Sequence, residues 1–148
     1  MFTWQDYEQS LSALRKSGAR VFVVGHALSG RPIYGVFKGS FEGGQILLQA
    51  AIHAREGATT PVVLKMMENY SGGVGVWCLP MVDPDGVELC RLGLESVSDV
   101  EKRRFLLDVN GGSEDFSLWK ANLNAVDLNV NFPAKWGTGA QNVTYPAP

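Results

Sequence analysis

Ile52-His53-Ala54-Arg55-Glu56-Gly57 is the stretch whose residue types and spacing can do chemistry. A histidine and a glutamate three positions apart, where the apolar run Gln45 to Ala51 gives way to a helix-like segment, can converge on one metal ion. Zinc favours this mixture of imidazole nitrogen and carboxylate oxygen, and a catalytic zinc takes three protein ligands plus a water. Two ligands stand here. The only other histidine, His26, falls in a first strand–turn region and reads as an exposed turn residue. Glu88 and Cys90 are donors by chemistry alone, with no motif around them.

The elements that must position this pair follow from hydrophobic period and turn residues. Trp4, Tyr7, Leu11 and Leu14 recur at helix spacing, Thr3 with Asp6 resembles a capping box, and Gly18 is a natural stop. Strands are expected over 20–25 and 33–38, joined by the turn Ser29-Gly30-Arg31-Pro32. A third strand, 45–52, is apolar nearly throughout, as expected of one covered on both faces. Thr59-Thr60-Pro61 opens a helix with the stripe Val62, Val63, Met66, Met67 and Tyr70, whose methionines read as core packing. A fourth strand is expected over 74–82, followed by the turn Asp83-Pro84-Asp85-Gly86. Beyond it come a short helix over 99–107, a strand or extended segment at Ala125-Val126-Asp127-Leu128, and an irregular tail from Pro133 through Gly137, Gly139, Pro146 and Pro148. The charge run Glu101 to Arg104 is a solvated face. Strands alternating with helices predict an α/β fold: a mixed, mostly parallel sheet with helices on both faces. Sites in such sheets gather at the carboxyl ends of strands, and His53 sits at one.

Composition sets the outer bounds. The chain has 148 residues, 45% hydrophobic and 19% charged, enough to bury a core and read as one domain over 1–148. A net charge of -2 gives no electrostatic case for nucleic acid or an acidic membrane surface. No apolar run approaches the roughly 18 residues of a spanning helix. The start, Met1-Phe2-Thr3-Trp4-Gln5-Asp6, lacks the pattern of a secretion signal, so a cytoplasmic location is expected. Cys78 and Cys90 make no disulfide framework, and Cys78 reads as a small buried residue.

Three segments together resemble the zinc carboxypeptidase family, peptidase family M14. His53-Ala54-Arg55-Glu56 matches its H-x-x-E metal motif. Pro80 to Gly86 is similar to its P-x-x-N-P-D-G turn, with Asp83 for the usual asparagine. Trp119-Lys120-Ala121-Asn122 through Val126-Asp127-Leu128-Asn129-Val130-Asn131-Phe132 is similar to its R-x-N-x-x-G-V-D-L-N-R-N-F signature. Gly25 and Gly30-Arg31-Pro32-Ile33 also resemble its G-x-S-x-x-G-R-P-I entry. The motifs keep the family's order across nearly the whole chain.

The resemblance implies that His53 and Glu56 are ligands of a Zn2+ cofactor, in a His₂Glu set completed by another histidine. It implies that Arg55 helps hold a substrate carboxylate, as a guanidinium can. Lys120 takes the place of the arginine that polarises the scissile carbonyl, supplying charge without a planar fork. Asn129 matches a substrate-carboxylate asparagine, and Val130 replaces its partner arginine, which weakens the demand for a free C-terminus. Asp127, acidic and near the pocket in relatives, is there usually structural. The Trp-Lys-Ala-Asn form resembles bacterial members that cut γ-D-glutamyl-diamino acid links in cell-wall peptides.

The expected function is thus a zinc-dependent metallopeptidase acting on peptide or γ-D-glutamyl-diamino acid amide bonds of a peptide or peptidoglycan-derived substrate. The third ligand and the general base find no residue here, so the chain reads as the N-terminal part of such a domain, truncated on its C-terminal side. The alternatives are a non-catalytic module that binds peptides or cell-wall fragments, and self-association through an open sheet edge.

Overall fold

The computed structural model describes residues 2–133. The irregular tail, from residue 134 onward, and Met1 lie outside the described residues.

Helix α1 (Trp4–Lys16) starts at the expected capping box. The Asp6 amide donates to Thr3 Oγ1 (3.2 Å) while the Thr3 amide donates to Asp6 Oδ2 (2.9 Å), so two otherwise orphaned backbone donors are satisfied. Tyr7, Leu11 and Leu14, spaced at i, i+4 and i+7, are fully buried. Strand β1 (Arg20–His26) turns at Ala27–Gly30 into antiparallel β2 (Pro32–Lys38), and Gly30 supplies the positive φ of +88° that the turn requires. Strand β3 (Gln45–Gln49) precedes α2 (Thr59–Asn69), and β4 (Gly75–Leu79) precedes α3 (Pro84–Leu92) and α4 (Val100–Val109).

The strand order is β1-β2-β4-β3. The sheet is mixed, as expected, but its balance differs from a mostly parallel one. Only β3 and β4 run parallel; β2–β4 is antiparallel, and so is β1–β2, which a tight turn joins as such turns join only antiparallel neighbours.

One face of the sheet carries Val21, Tyr34, Val36, Val76, Cys78 and Leu48, packed under Tyr7, Leu11 and Leu14 of α1 and Leu64 and Met67 of α2. The other face presents Phe22, Val24 and Leu47, with Trp77 beside Phe22, and no described helix covers it. Helices on both faces are therefore not found among the described residues. Helices α3 and α4 build a second core instead, in which Leu89, Leu106, Phe116, Trp119, Leu123 and Ala125 enclose Ala54. Strand β3 is likewise an edge strand rather than a doubly covered one: Leu47 is 59% exposed. Its apolar run encodes a wish for neighbours that the described residues do not supply.

The stretch Asp83–Gly86 is not a free turn. Asp83 caps α3, accepting from the Gly86 amide at 3.0 Å, and Pro84 takes the first helical position, where its missing N–H does least harm. Asp85 is buried and accepts from the Ser29 amide (2.8 Å) and the Ser29 hydroxyl, and pairs with Arg31 (2.7 Å). The β1–β2 turn is thereby fastened to the start of α3. Cys78 and Cys90 are both free, and Cys78 is buried as expected. No described helix is long and apolar enough to cross a membrane.

Candidate metal centre

The parallel strands β3 and β4 end side by side and deliver the site. Beyond their ends, the Ala50 amide donates to Leu79 O, Val82 to Ala50 O, and Asp83 to Ala51 O, so the two exits stay laced together. Ala51, fully buried, bends the β3 exit with a left-handed φ of +49°. Its amide donates to Thr59 Oγ1 (2.9 Å), which itself donates to Glu56 O (2.7 Å), so the start of α2 clamps the intervening loop.

Within that loop Ala54–Glu56 forms a single 3₁₀ turn with His53 as its cap. Side chains three apart in a 3₁₀ turn eclipse one another. His53 Nδ1 and Glu56 Oε1 accordingly meet at 2.7 Å. Arg55, a third of a turn away, is directed elsewhere: it lines a cavity with Glu88, Cys90 and Arg91 to which neither His53 nor Glu56 contributes.

Two further residues join His53 from late in the chain. Asp127 Oδ1 lies 3.4 Å from His53 Nε2, and Asp127 Oδ2 lies 2.7 Å from Lys120 Nζ, an ion pair without the alignment of a good hydrogen bond. Asp127 is 1% exposed. Burial pushes its carboxyl up, but the close Lys120 ammonium and the bond from the Asn129 amide, with the His53 charge, outweigh it and hold the group below the ordinary aspartate range. The loop that brings Asp127 round is organised by Asn122, whose side-chain oxygen accepts from the Asn124 (2.9 Å) and Val126 (3.1 Å) amides. Ala125 there has a positive φ of +57°. The Ala54 amide donates to Lys120 O (3.2 Å), tying the 3₁₀ turn to this segment.

The structure therefore brings together Glu56, His53, Asp127 and Lys120 in one line of contacts. Asn129 is carried on the 3₁₀ turn Leu128–Val130, with its amide on Asp127 Oδ1 (2.9 Å) and its side chain exposed; Val130 is half-buried in the same turn. His26 ends β1, exposed, opposite Pro32. Glu88 is occupied by Arg91, and the Cys90 thiol donates to Trp119 O.

Do these residues suit a zinc ion? Two zinc ligands at ~2.0–2.1 Å from a tetrahedral ion stand a little over 3 Å apart. His53 Nδ1 and Glu56 Oε1 need only a small separation from 2.7 Å to admit one. Asp127 faces the opposite ring nitrogen at 3.4 Å without forming a hydrogen bond, so it cannot share that ion; a proton on Nε2 would face the carboxylate and leave Nδ1 free to coordinate. No group of three candidate ligands exists among the described residues. The donor set fits zinc as one side of a site, not as a whole one.

The arrangement is a His–Glu pair at a strand end, with a buried carboxylate and a cation beyond it. The family model for zinc carboxypeptidases (Peptidase_M14) matches residues 5–147, and the chain belongs to that family. Among curated proteins it is 33% identical over 144 residues to the gamma-D-glutamyl-L-diamino acid endopeptidase 1 of Lysinibacillus sphaericus, covering 84% of this chain and 36% of that protein. It is 31% identical over 132 residues to the uncharacterized protein YqgT of Bacillus subtilis (strain 168), covering 76% and 35%. The chain thus spans about a third of the length of these relatives. The fold resembles carboxypeptidase A from Helicoverpa armigera (TM-score 0.66, 20% identity, 94% of this chain and 35% of that one). It also resembles bovine thrombin-activatable fibrinolysis inhibitor (TM-score 0.64, 18% identity, 95% and 46%).

Sequence reasoning undervalued Asp127. A signal was present, since a charged residue between Val126 and Leu128 in an apolar segment is costly to bury without a partner. The partner, His53, is remote in sequence, and no periodicity points to it.

Proposed function

We propose that this chain carries one side of the active centre of a zinc-dependent peptidase that cleaves γ-D-glutamyl-diamino acid amide bonds in peptidoglycan-derived peptides. The observation that carries this reading is the run of contacts Glu56–His53–Asp127–Lys120 at the carboxyl end of β3. His53 and Glu56 would hold the metal, which would supply Lewis acidity for the scissile carbonyl and for a water. Asp127, 3.4 Å from Nε2, favours the ring form protonated there, and Lys120 would place positive charge where the carbonyl oxygen becomes an oxyanion. The substrate class is supported by the Lysinibacillus sphaericus relative and by Val130, which removes a cation suited to gripping a free C-terminal carboxylate.

Two measurements test this. Zinc titration of the chain should show weak binding that His53→Ala or Glu56→Ala abolishes; equal affinity in either variant means the ligands are misassigned. For substrate class, residues 5–133 should be grafted in place of the matched third of the Lysinibacillus sphaericus endopeptidase. The chimera should hydrolyse the γ-D-glutamyl-diamino acid link, and Glu56→Ala should stop it. Val130→Arg should shift preference toward substrates ending in a free carboxylate; an unchanged ratio argues against this pocket assignment. Peptide binding without turnover by the zinc-loaded chimera would mark a binding module instead.

A further inference from the structure

The two edges of the sheet are built differently. At one edge, β1 is bent by a bulge between Val23 and Gly25 and carries Arg20 and His26 at its ends. Bulges and charges of this kind blunt an edge strand against pairing with another chain. At the other edge, β3 has none of these devices. It keeps an unbroken register with β4 over all five of its residues, Gln45–Gln49, and contains no proline and no charge. Ile46 and Leu47 point to opposite faces, and both are exposed because no described strand lies on the outer side.

The ladder fixes which backbone groups face outward. The Ala50 amide donates to Leu79 O at the end of β4. Peptide groups alternate sides along a strand, so those of Ile46 and Leu48 face β4, while those of Gln45, Leu47 and Gln49 face away from it. No described residue pairs with the outward groups.

The strand is close to a palindrome: Gln-Ile-Leu-Leu-Gln. Laid antiparallel on a second copy about a two-fold axis at Leu47, it sets Leu47 opposite Leu47, Ile46 opposite Leu48, and Gln45 opposite Gln49. In this register the outward groups fall on the pairs that exchange hydrogen bonds, Leu47–Leu47 and Gln45–Gln49. Ile46–Leu48 takes the non-bonded position, where side chains come closest. A slip of one residue would set outward groups against inward-facing ones, and a slip of two would leave outward groups unpaired at both ends.

We propose that β3 is a homodimerisation strand, through which two copies of this chain join their sheets antiparallel about a two-fold axis at Leu47. The partner is a second copy because the strand complements itself in side-chain size and hydrogen bonding, and carries no charge to repel its own image. Five residues per copy make a small seam beside the roughly 1,200–2,000 Å² of a stable interface, so the dimer is weak and concentration-dependent. The two His53–Glu56 pairs, one at the carboxyl end of each β3, lie at opposite ends of the joined strands. No zinc and no peptide take part, so the proposal stands or falls independently of the peptidase reading.

The test combines sedimentation equilibrium with amide hydrogen exchange on the chain, from about 10 µM to about 1 mM. A monomer–dimer equilibrium should appear within that range. The Ile46 and Leu48 amides, held by β4, should be protected at every concentration, whereas exchange at Leu47 should slow about tenfold as the dimer fills. Leu47→Lys and Leu47→Glu each set like charges directly opposite one another and should each weaken the dimer at least about tenfold. Mixed, the two variants should recover a heterodimer that salt weakens. Leu47 belongs to neither core, so both variants keep the fold, which the Ile46 and Leu48 amides report. The proposal is overturned if the parent stays monomeric throughout, or if a dimer forms with the Leu47 amide unprotected, which would mark association through the apolar face. Protection of Leu47 in the monomer, which would mark a segment of the same chain on the edge, overturns it too. So does a folded Leu47→Lys variant that dimerises as the parent does, or a mixture of the two variants that stays monomeric.

Discussion

Asp83 and Asp127 are buried to nearly the same degree, 3% and 1% exposed, and both flank the turn that carries His53. Their ionisation nevertheless moves in opposite directions. Burial pushes Asp83 up to about 7, helped by the neighbouring Asp85 charge and resisted only by the Gly86 amide, and its Oδ2 has no hydrogen-bond partner. Burial acts on Asp127 in the same sense, but Lys120, the Asn129 amide and His53 reverse it. The difference teaches that partners, not depth, decide which carboxylate stays charged. A charged Asp127 can orient a ligand imidazole. Burial favours the protonated form of Asp83, against the capping bond from the Gly86 amide, which favours the ionised one.

The largest effect should come from removing the ill-matched acid. Because the folded state raises the Asp83 pKa above its ordinary 3.8, its stabilising share is complete below that value and is lost as pH rises to about 7. Asp83→Asn restores the neutral side chain of the family's P-x-x-N-P-D-G turn. Relative to this variant, the parent should lose about 1.4 kcal/mol per pH unit across that window, on the order of a few kcal/mol in all. Urea unfolding at pH 4, 5.5 and 8 reads this directly. Parallel curves for the two proteins would break the contrast.

A smaller effect is expected at the well-partnered acid. Asp127→Asn keeps the shape but loses the charge that orients His53, and zinc affinity should fall ~10–100-fold. Competition with a chelating dye measures it, and unchanged affinity would reduce Asp127 to a structural residue. Smaller still, Lys120→Gln deprives Asp127 of one partner but leaves the Asn129 amide and His53, so stability at pH 7 should drop by about 1 kcal/mol. No drop in the urea midpoint would mean the two remaining partners suffice.

How far could the sequence be read? The His53–Glu56 pair was legible because it is local: three residues and one 3₁₀ turn bring the two together. Helices α1 and α2 were legible for the same reason, from apolar spacing and first-turn residues within one element. Helix α3 was not, because Asp, Pro and Gly in succession serve equally as a turn and as a cap with its first residues. The exposure of β3 was hidden, since an apolar run declares a preference for burial and says nothing about whether a neighbour is present. Where Arg55 lies was not legible from adjacency: a residue next to Glu56 in sequence is a third of a 3₁₀ turn away in space and lines a cavity that Glu56 does not. Asp127 required a long-range fold-back held by Asn122 and the left-handed Ala125, which no local pattern announces.

Ala51 carries a final consequence. An L-residue in the left-handed region is disfavoured by roughly 1–2 kcal/mol, which glycine would avoid. Yet the Ala51 methyl is fully enclosed, so glycine would leave a void and any larger residue would meet both the twist and the surrounding packing. A saturation screen should therefore find position 51 among the least permissive in the chain. Intolerance at that position would measure the aim of the neighbouring imidazole, not participation in the reaction.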